Sequence, residues 1–155
     1  MGLVVSLARN VRAESARVVT QKVLFELDRL MAQYQAQHEQ RLPVIAPLIP
    51  ADAVAPPDEA ALHRAALANN TQFVQLLLTR ETVARSFAEL PLRLHGQVNP
   101  RLDDEWGNPI VFMSSGNKYI GTAAGGKSFF FSAGRDGKYL TLDDNLYSYE
   151  PGGPN

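Results

Sequence analysis

The chain has 155 residues, 45% hydrophobic and 20% charged, a composition for one compact domain with its own core and against a disordered chain. Fifteen Lys and Arg against sixteen Asp and Glu give a formal charge of -1, so no basic field draws the protein to nucleic acid or an anionic bilayer. Cysteine is absent, which excludes disulfides, thiolate nucleophiles and thiolate metal sites and leaves the redox compartment open.

The run from Met1 to Ala8 is apolar, but Arg9 and Arg12 end it far short of the roughly 20 residues that span a bilayer. It carries no convincing signal-peptide cleavage pattern. It reads either as the tail of a membrane segment whose beginning is absent or as the start of an ordinary soluble helix. From Leu3 to Gln40 there is neither Pro nor Gly, and Val23, Leu27, Leu30, Met31 and Tyr34 recur at helical spacing, which predicts one long amphipathic helix. Its first half offers only Val11, Ala13, Val18 and Val19 as a thin apolar line among Arg12, Glu14, Arg17 and Lys22, and is expected to project from the domain.

Pro43, Pro47, Pro50, Pro56 and Pro57 make residues 41–57 a linker of extended, polyproline-like character that wraps over the surface. Asp58 stands as N-cap of a second helix through Leu62, Ala66, Phe73, Val74 and Leu77, with an interruption expected at Asn69 and Asn70. Val83, Phe87 and Leu90 predict a short third helix that Pro91 ends. Beyond Pro100 come a turn at residues 103–109 and three strands, at residues 110–114, 118–122 and 127–132, whose apolar positions need the Val23 to Tyr34 face of the first helix. The fold class is α+β: helix 1–40, linker 41–57, helical insertion 58–100, and an antiparallel sheet with an acidic loop over 101–150, all one globular unit.

The chemistry-bearing residues concentrate late in the chain. Asp136, bracketed by Gly134 and Gly137, is followed by Asp143 and Asp144, a set that can curl around calcium, which accepts six to eight oxygens including backbone carbonyls. The same residues also suit plain turns, Asp136-Gly137 as a hairpin pair and the later run as a turn cap. Asp103, Asp104 and Glu105 read as a solvated turn without a metal, and Trp106 as a ring closing the end of the core. His38, His63 and His95 share no metal spacing and suit the surface. No ordered acid, histidine and serine set is present, and Gly125-Gly126-Lys127-Ser128 precedes a strand pattern, not the helix a phosphate loop opens. A non-enzymatic protein is expected.

The turn from Asp104 to Pro109 (Asp-Glu-Trp-Gly-Asn-Pro), the run Phe131 to Gly137 and the run Thr141 to Asn145 together resemble the C-terminal half of the major pseudopilin of type II secretion systems and its type IV pilin-like relatives. The resemblance spans residues 103–146, and the long helix stands in the family order before it. It implies a pilin-like fold, the helix packed on a small antiparallel sheet, and a structural role in a periplasmic pseudopilus built from other such subunits. It also implies anchoring in the bacterial inner membrane through an N-terminal segment missing here, and Ca2+ held by Asp136 and Asp143, with Asp144 as a further ligand and backbone carbonyls completing the shell. The chain departs from the family pattern in lacking the processed pilin N-terminus, in carrying extra helix over residues 58–100, and in placing Glu105 where Pro is usual. The alternative reading is a stand-alone periplasmic interaction module, with a peptide or ligand groove made by the linker and the extra helices.

Overall fold

The computed structural model describes residues 2–39, 41–91, 94–96 and 98–149, with side chains from residue 11 onward. Three helices come first: α1 (Gly2–Ala36), α2 (Glu59–Leu78) and α3 (Glu81–Ala88). Five short strands follow, β1 (Leu94–His95), β2 (Arg101–Leu102), β3 (Val111–Met113), β4 (Phe129–Ser132) and β5 (Leu146–Tyr147). The molecule is thus α+β, a long helix with two more helices and small antiparallel sheets, in a pilin-like layout. Met1, Gln40 and Glu150, and the apolar side chains before Arg9, lie outside the described residues. Among the described residues no helix is long and apolar enough to cross a membrane.

Helix α1 has two halves with different surroundings. From Val23 onward, Val23, Leu24, Leu27, Leu30, Met31 and Tyr34 are buried. Upstream, residues 11–19 include no buried side chain, and burial begins at Thr20, as the thin apolar line of that half predicts. Helix α2 starts where Asp58 Oδ1 accepts the Ala61 N–H at 2.7 Å, so a free backbone donor is capped and the expected start is met. Val83 and Phe87 bury the inner face of α3.

The main sheet runs β3-β4-β5, antiparallel throughout. Phe112 pairs with Phe130, and Val111 with Phe131, which in turn pairs with Tyr147, so the two faces separate cleanly. Phe112, Phe130 and Leu146 pack with α1, α2 and α3 in one core. Val111, Phe129, Phe131 and Tyr147 pack on the other side with Ile120, Tyr139, Leu48, Ile49 and Leu62. The proline-rich segment is therefore more than a wrap, since Leu48 and Ile49 are part of that second core. It is also pinned to α2, where Gln72 Oε1 accepts the Ala46 N–H and Asn69 Nδ2 donates to the Ala46 carbonyl, both at 2.7 Å.

The expected interruption of α2 at Asn69 and Asn70 does not occur, because both amides find partners across the core instead of on their own backbone. Asn69 accepts from Phe112 N–H at 2.8 Å and donates to Phe112 C=O at 2.9 Å. Asn70 accepts from Leu102 N–H at 2.9 Å and donates to Leu102 C=O at 2.7 Å and Ile110 C=O at 2.6 Å. Asn69 thereby occupies the position a neighbouring strand would take on the outer edge of β3, while Asn70 bridges Leu102 of β2 to Ile110, so that the buried Leu102 N–H and Ile110 C=O are satisfied.

The expected strand at residues 118–122 is a turn. Asn117 C=O accepts from Ile120 N–H at 3.2 Å and Gly121 N–H at 2.8 Å, while its side chain accepts from Tyr119 N–H at 2.8 Å, and Gly121 takes φ 126°. The third strand comes instead from Leu146 and Tyr147, just after the acidic run.

Replacing Asn70 with Ala removes the side-chain partner of Leu102 N–H and Ile110 C=O inside the core. The expected loss is about 3 kcal/mol of unfolding free energy by urea denaturation. Gln75→Ala, on the exposed face of the same helix, is expected to change stability by under about 0.5 kcal/mol.

Candidate functional site

Two loops, residues 103–109 and 133–145, meet beside the end of β4. The first closes around a carboxylate. Asp104 is only 5% exposed, and its Oδ1 accepts from Trp106 N–H at 2.9 Å and Asn108 N–H at 2.8 Å. Its Oδ2 accepts from Ser132 Oγ at 2.6 Å and from Asn108 Nδ2 at 3.4 Å. Burial raises the Asp104 carboxyl above its ordinary value, against the hydrogen bonds from Ser132, Asn108 and Trp106 that pull it down. Asp103 is also buried, with Oδ2 held by Arg101 Nη2 at 2.6 Å. The acidic run is thus not the solvated turn that three consecutive acids suggest. Only Glu105 faces solvent, because the other two find backbone, hydroxyl and guanidinium donors within the fold.

Asn108 carries the connection into the second loop by donating from Nδ2 to Gly134 C=O at 2.7 Å. Gly134 N–H donates to Ser132 Oγ at 3.0 Å, so one serine hydroxyl joins both loops. Gly134 has φ 67°, and a Cβ there would overlap the Asp144 carbonyl and lie 2.8 Å from Asp144 Oδ2, so the chain needs glycine at this crossing. Past it, Asp136 N–H donates to Asp144 Oδ2 at 2.7 Å, and Asp136 Oδ1 accepts from Lys138 N–H at 2.8 Å.

The structure therefore brings Asp136 and Asp144 into one loop, while Asp143 points into solvent. Among the described residues no three His, Cys, Asp or Glu side chains gather as a metal-holding group. The donor chemistry of the loop nevertheless suits a hard cation. Two carboxylates share it with Asn145, whose Oδ1 is buried without a hydrogen-bond partner among the described residues. Asp136 and Asp144 each use a carboxylate oxygen as a backbone cap, the plain-turn role their sequence also allows.

Trp106 packs on the helix-side core, as a core-closing ring should. Arg12, Ser15 and Val19 of α1 line a depression of about 490 Å³ with Glu105, Trp106 and Arg135. A second depression, of about 260 Å³, lies between the proline-rich segment and β3, against Ile45, Ile49, Phe112 and Met113. That volume is below the roughly 300–1,000 Å³ of small-molecule sites. His63 and His95 are exposed, while His38 is half-buried at the end of α1.

Sequence reasoning missed Ser132 and Asn108 as the residues that tie the loops together. Their only sequence signal is proximity to Gly134 and Asp104, and their meeting depends on strand register. Comparison with known proteins finds no matching family model, no matching curated protein and no matching solved structure.

Proposed function

We propose that the protein is a structural, pilin-like subunit of a type II secretion or type IV pilus-like assembly, which contributes a rod and a globular body and catalyses no reaction. The observation that carries the reading is the division of α1: one half is buried in the body, and residues 11–19 have no buried side chain. On that half and just beyond it, Val11, Val18 and Phe25 are exposed by 63%, 45% and 45% and recur every seven residues along one helical stripe. Apolar side chains in such a row gain free energy when a neighbouring subunit covers them. The proposed setting is the periplasmic face of the bacterial inner membrane, with other pseudopilin subunits and the secretion machinery as partners.

Ca2+ belongs to this proposal as the ion the resemblance implies, with Asp136 and Asp144 as side-chain ligands, Asp143 joining from solvent and carbonyls completing the shell. When bound, it would neutralise the acidic run and fix the loop beside Trp106, so that binding energy adds to folding energy.

Two measurements test the reading. Since these 155 residues contain no cysteine, a Val18→Cys variant produced in its native cellular setting is expected to form disulfide-linked dimers under mild oxidation, and a Val54→Cys control on the linker to form none. Equal, negligible cross-linking at both positions contradicts the subunit role. Separately, saturating Ca2+ after chelation is expected to raise the melting temperature by several degrees, corresponding to about 2.7 kcal/mol at a hundredfold excess over Kd. Mg2+ should do much less, and Asp136→Ala should abolish the rise. Identical melts with and without Ca2+ remove the ion and leave the subunit reading to the cross-linking.

A further inference from the structure

Beside the core that Tyr34 shares with Val83 and Phe87, one imidazole links the end of α1 to the joint between α2 and α3, and its hydrogen bonds dictate its protonation. His38 stacks on Tyr34 with ring centroids 4.0 Å apart and planes 17° from parallel. Its Nδ1 lies 2.7 Å from the Tyr34 carbonyl oxygen, which can only accept, so Nδ1 must carry a proton. Its Nε2 lies 2.8 Å from Arg80 Nη2, and a guanidinium can only donate, so Nε2 must present a lone pair. The geometry admits the neutral Nδ1–H tautomer alone.

Arg80 is the N-cap residue of α3, and its carbonyl accepts the Ala84 N–H at 2.7 Å to close the first turn of that helix. Its side chain makes no cap and turns to His38, 42 residues earlier in the chain. We infer that His38 and Arg80 form a proton-sensitive latch: a proton on His38 Nε2 removes the acceptor, sets two cations against each other and loosens the first turn of α3, while Val83 and Phe87 stay in the core shared with α1.

The neighbouring carboxylates each face a cation of their own. On the turn that carries His38, Glu39 is engaged with Arg41 at 3.4 Å. On α3, Glu81 is engaged with Arg85. From the linker, Leu42 and Pro43 are uncharged, and Tyr34 contributes its ring face. A depression of about 380 Å³ lined by Tyr34, Gln37, His38, Glu39, Arg41 and Leu42 gives water access to the imidazole. The latch is a solvent-exposed contact at the opposite end of α1 from the apolar stripe, so opening it would loosen the first turn of α3 and leave the stripe intact. This inference does not depend on the proposed assembly.

The test uses the whole chain. Long-range proton–nitrogen NMR at pH 8 reads the tautomer of His38, and the expected pattern is Nδ1–H. Amide exchange at Ala84, whose N–H closes the first turn on the Arg80 carbonyl, reads the start of α3 as a protection factor. Protection there is expected to fall about threefold to tenfold between pH 8 and pH 5, the worth of one exposed hydrogen bond. His38→Phe keeps the stack on Tyr34 and is expected to show no such fall, as is Arg80→Leu. An Nε2–H tautomer at pH 8, or the same pH dependence in the native chain and both variants, overturns the latch.

Discussion

Two adjacent side-chain amides hold the helical and sheet layers in register. A helix satisfies its own backbone and has none left for a strand edge, so a helix that covers a sheet edge must offer side chains with both a donor and an acceptor. Asn69 does so for Phe112, and Asn70 for Leu102 with Ile110. Since neighbouring residues on a helix diverge by about 100°, two consecutive amides fix both the rotation and the height of α2 against the sheet. The linker inherits its place from Asn69 through Ala46, and α3 inherits its place from the end of α2. At the other side of the sheet, Gln21 Nε2 donates to the Tyr147 carbonyl of β5, where α1 passes from exposed to buried. Amides thus engage both outer strands of the three-stranded sheet, which discourages edge-to-edge pairing with another chain.

Much of this was legible in the sequence, and the failures share a cause. The long helix, its unburied stretch over residues 11–19, the Asp58 cap and the α3 face all follow from local pattern, because apolar periodicity and capping chemistry act within one or two turns. Asn69 and Asn70 looked like a break because asparagine competes with its own backbone when nothing else is in reach. Partners 32 to 43 residues away removed that competition. The same blindness to distant partners hid β5, two residues long and preceded by acids, whose identity as a strand rests on Phe131 and Ser132. It also misplaced Asp103 and Asp104, whose burial depends on donors such as Ser132 that the turn itself does not contain.

The candidate site divides similarly. A glycine-bracketed aspartate announced a tight loop, and Gly134 and Asp136 are part of one that also holds Asp144. What spacing could not supply was orientation. Three carboxylates close in sequence suggest convergence, yet Asp136 and Asp144 cap backbone donors and Asp143 faces water. The connection from Asp104 through Ser132 and Asn108 to Gly134 makes the acidic loop an extension of the Trp106 turn, so what binds one loop is felt by the other.

On the proposed reading, these features together make a rod that other subunits grip, fixed to a body whose acidic loop lies beside the emerging helix. The most direct measurement is immuno-electron microscopy of filaments sheared from cells that overproduce the protein in its native setting. The account predicts antibody label repeating along thin filaments. Protein recovered only as a dispersed monomer, with no labelled filament, would contradict it.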